Sequence, residues 1–428
     1  MVPKPTAKDL VLWVITNRLV KLIFIFYTIL SIIITLTHLF KYLTDDAPKE
    51  LDPIKRTYDT NRTSPLNDMN YDFRFSKIHS KTSKLLIKGL YPYYFHGDVT
   101  PEKGDITMIT SINKHGLEDL IRLVDIWQGP ISAVLHLPTL TYNDQDPEIA
   151  AALKNVRDIC NKNKNIKKFV DIHLMTGPVT VKKQSLQSKP NNFHLNYARF
   201  FSRSDYVFFL EKDVWPMKNT REIIKSYNNL LSNNEVLIIP TFKFTENSTD
   251  HHFPTTKKDL VKHVSKHLMG LKDNGWSLNE GPTNYKSWVK GELYNITKNY
   301  DIYYQPNFVI NKKTTIPWCS ERFDIFEFSK AACLLQIYLS GSGLYVLPDT
   351  YLIFYQYNKA SYLLQQDEKT FEKMIKNRMY FNFYRETCIN YARAIDSLGQ
   401  WNSLKAKNIR KHCKRIVMNW GKGLIEKI

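Results

Sequence analysis

From residue 104 onward the chain alternates two hydrophobic rhythms, and that alternation excludes most of the folds otherwise open to it. Residues 105–110, DITMIT, are short, apolar and β-branched, which predicts a strand. Residues 115–127 return an apolar side chain every three or four positions (Leu117, Leu120, Ile121, Val124, Trp127), which predicts an amphipathic helix. Residues 131–137 predict a second strand, 147–161 a helix, 168–174 a third strand, 193–202 a helix and 206–210 a fourth strand. Strands joined through helices pair in parallel, because each helix returns the chain to the end at which it started. The expectation is an α/β fold with a doubly wound sheet. Two further strands, at 235–240 and 344–348, flank a helix at 328–339, and from 369 onward the chain reads mostly as helix with a basic outer face. Residues 104–428 thus read as one mixed domain with a C-terminal helical extension.

Parallel sheets bind ligands beyond the carboxyl ends of their strands. The fourth strand runs directly into Glu211-Lys212-Asp213, followed by Trp215-Pro216. Two carboxylates one residue apart at such a place can hold a hard divalent cation, Mg2+ or Mn2+, against a diphosphate, and the first can reach a ribose hydroxyl. Taken alone, the pattern also occurs as a solvated turn. Alternation along the strand turns Lys212 either to solvent or toward the diphosphate.

The other end of the chain has a separate logic. Residues 22–40, LIFIFYTILSIIITLTHLF, contain no Lys, Arg, Asp or Glu. A helix of that length, at ~1.5 Å per residue, nearly matches the hydrocarbon core of a bilayer. A signal peptide has a shorter apolar region ending at small residues, and no such site follows Phe40. Lys4, Lys8, Arg18 and Lys21 precede the segment, whereas Lys41 is followed closely by Asp45 and Asp46. That asymmetry predicts a cytosolic tail (1–21), a transmembrane signal-anchor (22–40), a luminal stem (41–103) and a luminal body, which is single-pass type II topology. Sequons at Asn61, Asn247 and Asn295 suit a luminal glycoprotein. The five cysteines (Cys160, Cys319, Cys333, Cys388, Cys413) lack metal-like spacing and permit one or two disulfides. A formal charge of +19 would suggest nucleic acid in a nuclear protein. Behind an anchor, no nucleic acid is expected, and the charge reads as a solvated surface or as a field attracting anionic substrates such as nucleotide sugars.

Five stretches in fixed order resemble glycosyltransferase family 49, the family of a beta-1,4-glucuronyltransferase and of the C-terminal catalytic domain of LARGE-type enzymes. GDITMITSINKHGLEDLIRLVDIWQGPISAVLH is similar to the family's opening strand, helix and Trp-x-Gly-Pro-Ile-Ser segment, and NFHLNYARFFSRSDYVFFLEKDVWPM to its Asn-Val-Ala-Arg helix followed by Asp-x-Asp-x-x-Pro-Met. GPTNYKSW resembles a Pro-Thr-Asn segment, IPWCSERF with Lys330 a Tyr-Asp-Glu-Arg-Phe segment, and LYVLPDTYLI the strand after it.

The resemblance implies a GT-A, Rossmann-like fold and inverting transfer of a sugar from a nucleotide-diphosphate donor to a glycan or glycoprotein acceptor. It places Asp213 at the metal, the diphosphate and the catalytic centre, and Glu211 at the metal or the ribose. Lys212, Asn196, Arg199, Thr283, Asn284, Arg322 and Lys330 would shape the donor site, with Glu321 or Glu327 as general base. Mn2+ or Mg2+ is the implied cofactor, with a metal-independent route open through Lys212 at the diphosphate.

Departures from the family pattern cluster at the chemistry. Glu211 replaces its first Asp, Glu280 a histidine, Cys319-Ser320 its Tyr-Asp, Ile325-Phe326-Glu327 its Gly-Phe-Gly, and Phe354-Tyr355-Gln356-Tyr357 a His-x-x-His. These changes keep a second reading alive, a catalytically weak or inactive relative that binds glycans or scaffolds a complex. His251-His252 lies in a polar loop and reads as solvated, whereas His136 and His173 lie on apolar strands and read as satisfied strand residues.

Overall fold

The computed structural model describes residues 18–44, 90–113, 116–139, 147–178, 192–245, 252–272, 282–312, 316–321, 328–355 and 370–420. The chain divides into two units, Met1–Asp52 and Pro53–Ile428. In the first, helix α1 (Arg18–Thr44) runs for 27 residues over the charge-free stretch. Hydroxyls do not interrupt it, because Thr28, Thr35 and Thr37 donate back to the carbonyls of Ile25, Ser31 and Ile34. Among the described residues, however, no helix is long and apolar enough to cross a membrane, and within α1 the side chains of 19–20, 23–24 and 38–44 lie outside that description.

The second unit is built on a parallel block. Strands β2 (Ile106–Ile112), β3 (Ile131–Thr139), β4 (Val170–Pro178) and β5 (Tyr206–Phe209) lie in the order β4-β3-β2-β5, all parallel. Helices α2 (Leu117–Trp127), α3 (Pro147–Lys162) and α4 (Asn192–Phe201) occupy the predicted intervals between them. The side chains of β5 show why the sheet is covered on both faces. Val207 and Phe209 join the core cluster that includes Ala198 of α4, whereas Phe208 meets Trp127 of α2, ring centroids 5.6 Å apart. Burial of each such side chain contributes about 1.5–3 kcal/mol, so the alternation fixes the register of a strand only four residues long.

Two expectations shift. Residues 168–169 close a short helix, Lys164–Phe169, instead of opening β4, because the Asn163 side chain caps it by accepting from the N–H groups of Asn165 and Ile166. Strand β1 (Leu90–Phe95) pairs antiparallel with β4, Leu90 opposite Met175, so the sheet begins ahead of residue 104, inside the stretch read as stem.

Beyond β5 the chain builds a second layer that the sequence pattern does not announce. Strands β6 (Val214–Pro216), β8 (Thr241–Phe244), β9 (Met269–Leu271) and β13 (Leu352–Phe354) form a four-stranded sheet in the order β6-β13-β8-β9. Meanwhile β7 (Val236–Ile239), β10 (Tyr294–Asn295), β11 (Asn307–Asn311) and β12 (Leu344–Val346) extend the main sheet to nine strands, β1-β4-β3-β2-β5-β11-β7-β12-β10. The chain crosses from the large sheet to the small one at β5 to β6, at β7 to β8 through Pro240, and at β12 to β13. Pro240 has no N–H for a ladder, and its carbonyl accepts from Leu352 N–H at 2.8 Å, which draws two of these crossings together. Helices α5 (Tyr285–Lys290), α6 (Ser329–Leu339) and α7 (Thr370–Ser397) complete the unit, with α6 packed between α4 and α7.

Candidate active site

Glu211 to Asp213 are the link between β5 and β6, so the predicted site lies where the two sheets exchange chain. Leu210 N–H still follows the ladder, donating to Ile109 O, but Glu211 N–H donates to the side-chain oxygen of Asn307 at 2.8 Å. Asn307 in turn donates to Thr241 Oγ1 at 3.0 Å, and both residues are buried. One buried amide thus ties the end of β5 to the start of β8. Asp213 lies in the left-handed region, φ 62°, which Asp tolerates better than branched residues. Its carbonyl accepts from Tyr355 N–H at 2.8 Å and Trp215 Nε1 donates to Tyr355 O at 3.1 Å, so the turn is latched into the small sheet.

The two acids stand in opposite surroundings. Glu211 Oε2 accepts from Lys272 Nζ at 2.5 Å and from Lys330 Nζ at 3.0 Å. Lys272 follows β9 and also lies 4.6 Å from the centroid of the Phe354 ring, while Lys330 is in the first turn of α6. Burial would push the Glu211 carboxyl up, but the ammoniums of Lys330 and Lys272 outweigh it and hold its pKa at about 2. The side chain remains 32% accessible although densely surrounded, as a group on the floor of a depression is. On the other side, Asp119 in the first turn of α2 is pushed up by burial and then by the charge of Asp213, against the pull of Arg122 and Lys212. Asp213, Lys212 and Asp119 therefore share one field, and the lysines that grip Glu211 are Lys272 and Lys330, not Lys212.

Other expected site residues hold the frame. Arg199 is fully buried and donates to the carbonyls of Pro317 (2.9 Å) and Ile316 (3.1 Å), with its guanidinium 4.2 Å from the Trp318 ring. Burial lowers its pKa to about 9, which leaves it charged at neutral pH. Asn196 donates to Cys319 O at 2.8 Å and to Glu321 Oε1 at 3.0 Å, and accepts from Cys319 N–H. Asn192 donates to the carbonyls of Ser320 and Ser329, and Gln336 accepts from Ser320 N–H. One face of α4 thus pins residues 316–321, and through them Glu321. A Cys319–Cys333 disulfide adds a covalent link from that segment to α6, which gives the replacement of the family's Tyr by Cys319 a physical reason. A second disulfide joins Cys388 to Cys413, and Cys160 is a buried free thiol.

Thr283 exchanges a hydroxyl hydrogen bond with Tyr304, and the Asn284 side chain caps α5 by accepting from Ser287 N–H at 3.1 Å, so both act locally. His173 is a strand residue satisfied on both ring nitrogens, by Tyr93 N–H and Ser132 Oγ, each at 3.0 Å. Burial lowers His136 to about 4, and its ring lies 4.9 Å from that of buried His194, which is also lowered, first by burial and then by His136. Asn295 is exposed on β10. Arg322, Glu327, Asn61, Asn247 and His251 lie outside the described residues.

The donor set does not fit a divalent cation held by Glu211 and Asp213 as the resemblance implied. Glu211 already faces two ammoniums, and Phe354 and Tyr357 stand where the resemblance has histidines. Among the described residues no three His, Cys, Asp or Glu side chains gather in one place. Lys272 and Asp119 escaped the sequence reading. An acid in the first turn of the helix after the first strand was a visible signal for Asp119, whereas Lys272 follows a three-residue strand with no readable period.

A family model described as "Glycosyl-transferase for dystroglycan" matches residues 105–189 and 176–392. The Glycosyltransferase-like protein LARGE of Caenorhabditis elegans is 24% identical over 263 residues, covering 60% of this chain and 39% of that protein. Xylosyl- and glucuronyltransferase LARGE1 of Homo sapiens is 22% identical over 294 residues, 67% of this chain and 35% of that protein. The chain therefore spans well under half the length of these curated relatives. Among solved structures, GalNAc-T7 with UDP, GalNAc and Mn2+ overlaps at a TM-score of 0.34 and 10% identity, over 76% of this chain and 56% of that one, too slight a likeness to carry weight.

Proposed function

The chain belongs to glycosyltransferase family 49, and on that premise we propose a type II Golgi membrane enzyme that moves a sugar from a nucleotide-diphosphate donor to a glycoprotein glycan, with inversion, on a GT-A fold. The observation that carries the reading is the pair of lysines converging on Glu211, one residue from Asp213, at the sheet crossing inside the matched span. A departing diphosphate develops negative charge, and fixed cations already in place stabilise it without reorganising during the reaction.

The acceptor oxygen forms a bond to the anomeric carbon as the bond to the diphosphate breaks. The diphosphate leaves with the electron pair, and the acceptor proton passes to a carboxylate base. Glu321, steadied by Asn196, is proposed for that base. Asp213, latched by its backbone, is proposed to face the reacting sugar. The charge-free stretch 22–40 behind basic residues, two disulfides and the exposed Asn295 sequon support the luminal placement. Dystroglycan-type glycan is the proposed acceptor class, after the family's description.

A second reading, a family member that binds glycans without turnover, is favoured by Cys319-Ser320 in place of Tyr-Asp. Incubating the detergent-solubilised full chain with a donor panel and acceptor glycans separates the two. Mass-shifted acceptor with inverted anomeric configuration supports the enzyme. Acceptor binding with no product from any donor supports the second reading.

A further inference from the structure

We infer that Lys272 and Lys330, gathered on Glu211, form a seat for the diphosphate of the donor that binds it without a divalent cation. The inference rests on the glycosyl-transfer reading and goes beyond it by assigning a resident charge to this chain's own lysines.

Three observations carry it. First, both ammoniums meet the same oxygen, Glu211 Oε2, at 2.5 and 3.0 Å, so their nitrogens are held close together. Two like charges so near each other repel. The one carboxylate between them brings both ammoniums to a single oxygen, so Glu211 organises the pair. Second, the lysines come from distant parts of the chain, the end of β9 and the first turn of α6, and meet beyond the carboxyl end of β5. A surface carboxylate seeking a counter-ion needs one lysine, and bringing two to one oxygen from separate elements is an arrangement with a further anion in view. Third, Lys272 rests over the face of Phe354. That ring stands where the resemblance has the first histidine of a His-x-x-His, so this chain offers a platform for a cation where a metal ligand was expected.

Glu211 is then a positioning residue, holding the two ammoniums until an anion arrives. Adjacent phosphates present oxygens a few ångströms apart, which matches two ammoniums tethered to one atom. The formal charge of +19 supplies a long-range field of the right sign.

Isothermal titration of the full chain in detergent tests this with UDP, GDP and inorganic pyrophosphate as probes, each in EDTA and in Mn2+. At least one nucleotide binds in EDTA within about threefold of its affinity in Mn2+, and pyrophosphate competes with it. Lys272→Ala and Lys330→Ala each weaken binding in EDTA by about tenfold or more, with Lys330→Arg retaining part of it and circular dichroism confirming the fold. Glu211→Gln weakens binding in EDTA by less than either lysine substitution, whereas a metal-ligand role would make that variant lose Mn2+-supported binding. Nucleotide binding only in Mn2+ overturns the inference and leaves glycosyl transfer standing. Binding in neither condition overturns both.

Discussion

Glu211 and Asp213 are one residue apart, yet they face two differently charged walls. The Glu211 wall is cationic, with two ammoniums on one carboxylate oxygen, and its acidity is driven down to about 2. The Asp213 wall is acidic, and its charge helps raise Asp119. Groups of one chemical kind driven apart by their surroundings are how a single fold separates charge stabilisation from proton handling. The single left-handed residue at Asp213 is what makes this possible, because it turns the chain from the large sheet into the small one between the two acids.

The most severe way to break the comparison is to remove one acid at a time. Asp213→Ala should lower turnover by about a hundredfold or more, and Glu211→Gln by less than about tenfold, measured as nucleoside diphosphate release. Equal losses would mean the walls act as one.

The cationic wall also depends on a covalent link that the acidic turn lacks. Lys330 is carried by α6, which the Cys319–Cys333 disulfide ties to residues 316–321. Replacing both cysteines by serine should destabilise the protein by about 3 kcal/mol, the entropy of a loop of this size. A chemical-denaturation midpoint that does not move contradicts it.

Acid titration separates Glu211 from the histidines. Burial keeps His136 and His194 neutral when folded, so only the unfolded chain takes up their protons as pH falls below 6.5, and stability declines until about pH 4, where folded His136 also protonates. The His136 share of that loss should be about 3 kcal/mol, and His136→Phe should remove that share. The Glu211 contribution has the other window, present above its unfolded pKa near 4.5 and lost only as pH falls toward 2. The smallest effect belongs to Asp119→Asn. Removing that neighbouring carboxylate should change nucleoside diphosphate release by less than about threefold, because Asp119 is tied to Asp213 through its charge.

The parallel half was legible because burial on two faces imposes a period. Val207 and Phe209 face one cluster and Phe208 the other, and the helices between strands repeat that logic. The small sheet was not, since three-residue strands such as β6, β9 and β13 are too short to show alternation and are defined by partners far away in sequence. The same locality explains the site. Glu211 and Asp213 were readable from their place at a strand end, whereas Lys272 reaches Glu211 only after β9 has paired with β8. Asn196 and Arg199 have the chemistry of pocket residues, but the buried carbonyls of residues 316–319 required donors, and α4 supplied them.

The central claim is that donor diphosphate sits at this crossing, and the most direct measurement is a structure of the full chain with a bound nucleoside diphosphate. The account predicts phosphate oxygens within hydrogen-bonding distance of Lys272 Nζ and Lys330 Nζ, with the Asp213 carboxylate on the side from which the sugar would extend. A nucleotide seated elsewhere, with both lysines still closed on Glu211, would contradict it.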